Sequence, residues 1–296
     1  MSLISRALGR PSKRRMDPSW VEHIAQQYDV DAGYTAYHAY CREHSSAVAE
    51  ASPAREIGYE HLRATSAEVA GEIEHEVLAR FETRPTVEKS QHLSLFEIDD
   101  PGFERSMLER ILTPACDEAI ARYFGSDYFV YWYHVSRSVP VPELGLNSFR
   151  WHCDRGPQAH LKLLFYLNGW NEHGGGTAFL DLDTTQKIAR SGYVFAPVKT
   201  RLTDLGAIAR RHGATYAPWF PEMKAGEGVL FPPSSVLHRG MISTKGPRHV
   251  VTICLLPSPV PWSEAYARGV RSQSRSDGKW PEHAAHFRDA LAKNAG

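Results

Sequence analysis

No apolar run in this 296-residue chain reaches the roughly 18 residues needed to cross a bilayer, and its start lacks the apolar core of a secretory signal. Net charge is also missing, since 34 Lys and Arg balance 34 Asp and Glu. A neutral chain has no global field to draw in nucleic acid or a membrane surface, so neither is expected as a partner. Cysteine is scarce. Cys41, Cys116, Cys153 and Cys254 lie far apart without a C-x-x-C, which points to separate thiols in a reducing compartment. Internal repeats and low-complexity tracts are absent too. Residues 1–15 carry Arg6, Arg10, Lys13, Arg14 and Arg15 and no acid. That faintly resembles a transit peptide, but a solvated tail is the simpler reading, and a cytoplasmic protein is expected.

What remains, 42% hydrophobic and 23% charged, is ordinary for a soluble globular protein. Two textures divide it. Residues 1–126 read as helical. From Ser52 to Glu82, Ile57, Leu62, Val69, Ile73, Val77, Leu78 and Phe81 recur at helical spacing, and Pro53 suits a first turn. A second helix is expected over 102–124, broken near Thr113 by Pro114. Residues 127–257 read as β: 128–136, 160–168, 176–182, 227–232 and 249–257 are short, aromatic or β-branched runs bounded by Gly, Pro or Asn. Helix-length segments do not separate most of them, so an antiparallel sandwich, jelly roll or barrel is expected, α+β overall. Residues 184–224 are an insertion with a short helix at 203–211 and an aromatic loop, a candidate lid. Residues 258–296 form a tail with a helix over 282–293. The helical half is a candidate buttress or homodimer interface.

His152-Cys153-Asp154 is the one H-x-D of the chain. In a strand, residues i and i+2 share a face, so His152 and Asp154 converge while Cys153 turns away. His238, after EGVLF and the turn-prone 232–235, is the best third ligand. Two imidazoles and one carboxylate on one face of a metal leave open positions, which is what a non-haem iron centre requires. Alone, H-x-D reads more readily as a surface His–Asp pair. Arg248 lies ten residues after His238, sharing a strand face with Val250, Thr252 and Cys254. Directed inward it needs an anion. By itself it reads more readily as a surface arginine at a strand entrance.

Taken together, WHCD, FYLN, GGGTAFLD, EGVLFPPSSVLHRG and PRHVVTICLLP resemble the core of the Fe(II)/2-oxoglutarate dioxygenases, in the branch of phytanoyl-CoA dioxygenase and the prolyl hydroxylases. The likeness covers about residues 128–257. It implies a double-stranded β-helix (jelly roll) with Fe(II) held by His152, Asp154 and His238, and Arg248 pairing with the distal carboxylate of 2-oxoglutarate. Tyr166 and Thr252 are further co-substrate candidates. Phytanoyl-type enzymes often place Ser two residues after the distal His, where Gly240 stands here. The implied reaction consumes dioxygen and 2-oxoglutarate, with ascorbate as a reductant, and releases succinate and carbon dioxide as a C–H bond is hydroxylated. Asp154 disfavours halogenation. Neither a nucleophile elbow nor paired catalytic carboxylates suggest another chemistry.

For the substrate, Tyr133, Arg137, Arg155, Trp170 and Arg239 are candidates, and the arginines would suit a small anionic molecule or be solvated rim charges. Tyr131, Trp132 and Tyr133 read more readily as core packing than as a stacking surface, and Gly174–Gly176 lacks the following Lys-Ser/Thr of a phosphate loop. Alternatives are a protein side-chain hydroxylase of the same family, a cupin-like zinc or nickel protein (disfavoured by the lack of H-x-H), and a non-catalytic scaffold.

Overall fold

The computed structural model describes residues 32–267, except 48–49, 82–86, 91–92, 97, 99, 143–147, 155–159 and 194. The expected tail helix, the basic first residues and Arg155 lie outside the described residues. Seven strands form one antiparallel sheet in the order β1-β7-β5-β9-β4-β3-β2. These are β1 (Glu60–Arg63), β2 (Val87–Ser90), β3 (Leu93–Phe96), β4 (Asp127–Ser138), β5 (Leu161–Tyr166), β7 (Glu227–Phe231) and β9 (Arg248–Ser258). A smaller sheet pairs β6 (Gly176–Phe179) with β8 (His238–Met241), and single bridges extend it: His152 beside His238, and Trp219 beside Phe179.

The first half of the chain is therefore not purely helical, which corrects the expectation. The single helix read over 52–82 is divided: Gly58, at φ +104°, follows the short Pro53–Glu56 helix. Leu62, one of the residues assigned to the helical stripe, faces inward from β1, and Ala67–Phe81 forms the helix that follows. Apolar spacing could not distinguish these outcomes, because a short strand inserts without disturbing it. The second break falls where proline dictates. Pro101–Ile111 is capped by Asp100, whose Oδ1 accepts from the amides of Gly102 and Phe103, and a new helix, Pro114–Phe124, starts at Pro114 and ends on left-handed Gly125.

Burial sorts side chains into layers. Met107, Leu108, Ile111, Ile120 and Phe124 from this helix pair pack on Tyr133, Val135, Val251 and Ile253, the outer face of the large sheet. On its inner face Tyr166, Val229, Phe231 and Val250 meet Phe179 and Val236 of the smaller layer. Behind the smaller layer, Trp151, Cys153, Ala178, Leu180 and Leu237 bury Ile188, Phe195, Leu205 and Ala209. The 184–224 insertion is thus packed on the outside of the small sheet by its own apolar residues. Its helices are Leu182–Ala189 and Gly206–Arg211. All four cysteines are buried and free. Among the described residues no helix is long and apolar enough to cross a membrane.

Candidate metal centre

The inner face of the large sheet presents its side chains in rows set by strand register. Ser138 lies opposite Arg248; Ser136 and Tyr166 flank Val250; His134 and Leu164 flank Thr252; Trp132 and Lys162 flank Cys254. Facing these rows, the smaller layer supplies His152, Asp154, Thr177, His238 and Gly240, and the two enclose a cavity of about 410 Å³. The cavity is of the size that takes small ligands.

His152 and His238 occupy opposite positions on adjacent chains. Each accepts the other's backbone amide at 3.0 Å, which sets their ring centroids 4.5 Å apart. Nδ1 of His152 is 2.7 Å from the Arg150 carbonyl, and Nδ1 of His238 is 2.9 Å from the Val236 carbonyl. With Nδ1–H donating to those carbonyls, each Nε2 keeps its lone pair for a metal, the arrangement usual behind metal-bound histidines. Both Nε2 atoms face one carboxylate, at 3.5 Å from Asp154 Oδ1 for His152 and 3.7 Å from Oδ2 for His238. A ligand atom from each of the three residues lies within 4.8 Å of the other two. The imidazoles are only 3% and 6% exposed. Cys153 turns into the opposite apolar layer, as alternation requires.

Electrostatics keeps this donor set ready. Burial lowers the His152 pKa, and neighbouring His238 lowers it further, so the ring is neutral. Burial alone would raise the Asp154 carboxyl. The Lys162 ammonium outweighs it and holds Asp154 well below the usual carboxylate range. Two imidazoles and one carboxylate suit a divalent first-row metal, and the cavity beside them leaves room for further ligands.

Arg248 lies at the other end of the rows. Its Nη1 donates to the carbonyls of Gly176 (2.5 Å) and Met241 (3.3 Å), while Nε is buried with no partner. Burial lowers its pKa, against the stabilising effect of nearby Tyr166. A buried guanidinium with an unused donor, on a cavity that also holds a metal-type donor set, fits an anionic ligand. Tyr166 and Thr252 line the same cavity.

The proposed substrate residues are placed differently. Tyr133 packs in the core on the helix side of the sheet, because odd positions of this part of β4 face away from the cavity. Arg137 shares that parity and is exposed. Arg239 donates to the Thr203 carbonyl at 2.9 Å and lies over the Trp151 ring, on the insertion side of its strand. Trp170 starts a short turn of helix, Trp170–His173, and does not line the cavity. Among the described residues, none that lines the cavity comes from 184–224. Lining residues not expected from the sequence include His134, Ser136, Ser138, Thr177 and Lys162. The signal was present for Lys162, which lies four residues before Tyr166 and so on the same face of a strand.

No family model and no curated protein matches the chain. Solved structures similar to it include the non-heme alpha ketoglutarate dependent epimerase SnoN from nogalamycin biosynthesis, at 13% identity over 75% of this chain and 83% of that one, with a TM-score of 0.45. EctD from S. alaskensis in its apo form is 16% identical over 71% and 81%, with a TM-score of 0.46. HygX from Streptomyces hygroscopicus, with nickel, 2-oxoglutarate and hygromycin B bound, is 15% identical over 69% and 84%, with a TM-score of 0.44. These likenesses are too distant to carry chemistry across, which rests on the residues of the site itself.

Proposed function

We propose that the chain is an Fe(II)/2-oxoglutarate-dependent oxygenase with a double-stranded β-helix core, acting on a small organic substrate. The observation that carries this is the pairing, on one cavity, of a His152–Asp154–His238 donor set with a buried, incompletely partnered Arg248. His152, Asp154 and His238 would hold the iron on one face. Arg248, with Tyr166 and Thr252 beside it on the inner sheet face, would receive the distal carboxylate of 2-oxoglutarate. With both bound, the iron supplies oxidation of a C–H bond by dioxygen, coupled to decarboxylation of 2-oxoglutarate to succinate.

The protein's own contribution is arrangement. Backbone pairing fixes the two imidazoles, carbonyls of Arg150 and Val236 fix their tautomers, and apolar Phe231, Leu164 and Val250 limit water around the site. Ser136, Ser138, His134 and Phe149 leave the substrate a surface of hydroxyls, an imidazole and one aromatic ring. Among the described arginines, only Arg248 lines it.

The test is succinate formation by anaerobically purified protein supplied with Fe(II), 2-oxoglutarate, ascorbate and air, beside H152A. Succinate that disappears in H152A supports the assignment. If the wild type forms none, and anaerobic Fe(II) protein also develops no visible charge-transfer band on adding 2-oxoglutarate, the assignment fails.

A further inference from the structure

Among the described residues that line the cavity, Lys162 is the one whose charged side chain forms an ion pair with a metal-type carboxylate. Its Nζ lies 2.5 Å from Asp154 Oδ2. Three features hold it there. Lys162 shares a row with Cys254 and Trp132, and the small Cys254 side chain between them lets the lysine stem lean across β9. The ammonium then lies over the Trp132 ring, 5.1 Å from its centroid. Asp154 approaches from the opposite layer, where its backbone amide donates to the Pro233 carbonyl at 2.8 Å. The lysine side chain is only 15% exposed, so its charge is set between one aromatic face and one carboxylate.

The two carboxylate oxygens are therefore unequal. Oδ1 faces His152 Nε2 and has no cation of its own, while Oδ2 is already engaged by an ammonium. An aspartate with both oxygens free can take up a metal through one or both. We propose that Lys162 is a positioning residue that ties off Asp154 Oδ2 and leaves a single carboxylate oxygen for the metal. The inference rests on the metal-binding reading of the His152–Asp154–His238 set. It gives Lys162 two effects on the bound ion. Its positive charge opposes the cation, and its hydrogen bond denies the cation a second oxygen, so a coordination position stays open that a two-oxygen aspartate would fill. The site gives up affinity and keeps room for other ligands.

Calorimetric titration of the metal-free full-length protein with Co(II) tests this. K162M retains a stem to cover Trp132 but has neither charge nor donor, and it is expected to bind Co(II) at least about tenfold more tightly than the wild type. K162R keeps both and is expected to stay within about threefold. The visible Co(II) bands should weaken in K162M, as a carboxylate using both oxygens raises the coordination number, and stay unchanged in K162R. A lysine with only a packing role would leave those bands alone. Purifying all variants with Co(II) bound and timing its release to a chelator keeps the comparison possible if metal-free K162M does not fold; slower release in K162M supports the proposal. Equal or weaker Co(II) binding by K162M, or release as fast as from the wild type, overturns it. Absence of Co(II) binding by the wild type itself, with H152A no different, overturns the metal reading beneath it, a separate and recognisable outcome.

Discussion

His152 and His238 exchange both of their backbone hydrogen bonds, each 3.0 Å long, though they stand 86 positions apart in the sequence. The metal-type site is therefore built from a strand pair, with its two imidazoles placed by main chain and not by loop conformation. Removing either ring leaves that pairing intact and takes away one donor. H152A or H238A should stay folded, lose Mn(II) affinity by at least about 100-fold, and lose succinate formation. Calorimetry and far-UV dichroism on the same samples check both halves of the statement.

Arg248 is tethered by Nη1 to two carbonyls and has a donor to spare. In R248M the co-substrate would lose a charge-assisted hydrogen bond, worth about 1.5–3 kcal/mol. That corresponds to a KM for 2-oxoglutarate raised roughly 10–100-fold, with kcat changed much less. Steady-state kinetics at saturating Fe(II) measure the split. A fall in kcat with KM unmoved would place Arg248 outside co-substrate binding.

His173 is fully buried, and its Nδ1 accepts the Gly175 amide at 3.0 Å. Burial, aided by the charge of Arg248, lowers its pKa from 6.5 to about 4. Below pH 6.5 the unfolded chain takes up a proton that the folded chain refuses until about pH 4. Stability should therefore fall as the pH drops through that window, at about 1.4 kcal/mol per unit for this group at most. Chemical denaturation between pH 7 and 4 should show a shallower loss for H173Q than for the wild type; parallel curves would contradict it.

Gly226 stands at φ +83°, and a Cβ there would lie 2.5 Å from the Thr65 carbonyl oxygen and 2.8 Å from that of Ser66. Both contacts are backbone, which cannot step aside. G226A should lose about 3 kcal/mol of stability, combining a left-handed penalty with overpacking. The denaturation midpoint should shift with an unchanged slope.

Much of the β core was legible because its runs are bounded by turn formers. The stretch read at 128–136 is β4 at Asp127–Ser138, and that read at 249–257 is β9 at Arg248–Ser258. The 176–182 run was read too long: its pattern continues through Leu182, but Asp181 caps a helix there, its Oδ1 accepting from Thr184 N. His152, Asp154 and His238 could be grouped because alternation and chemistry agree. Tyr133 could not be assigned to a face from its residue type, since an aromatic suits either side of a half-buried strand. A bulge between Val130 and Trp132 also changes the parity of β4 partway along its length. The acidic partner of Lys162 was illegible, because that contact joins two layers whose stacking no local pattern encodes.

The strand order β1-β7-β5-β9-β4-β3-β2 has a temporal consequence. Both margins of the large sheet, β1 on one side and β3 with β2 on the other, are synthesised before any of its middle. As the chain emerges from the ribosome, β2 and β3 can pair with each other, but they join the sheet only when β4 follows, and β1 only when β7 does. The last interior strand, β9, pairs with β4 and β5 in the centre. Assembly must therefore wait until about residue 258 is available, with long-range pairings made late. Until then the exposed early segments are the part of the chain that most needs a chaperone's protection.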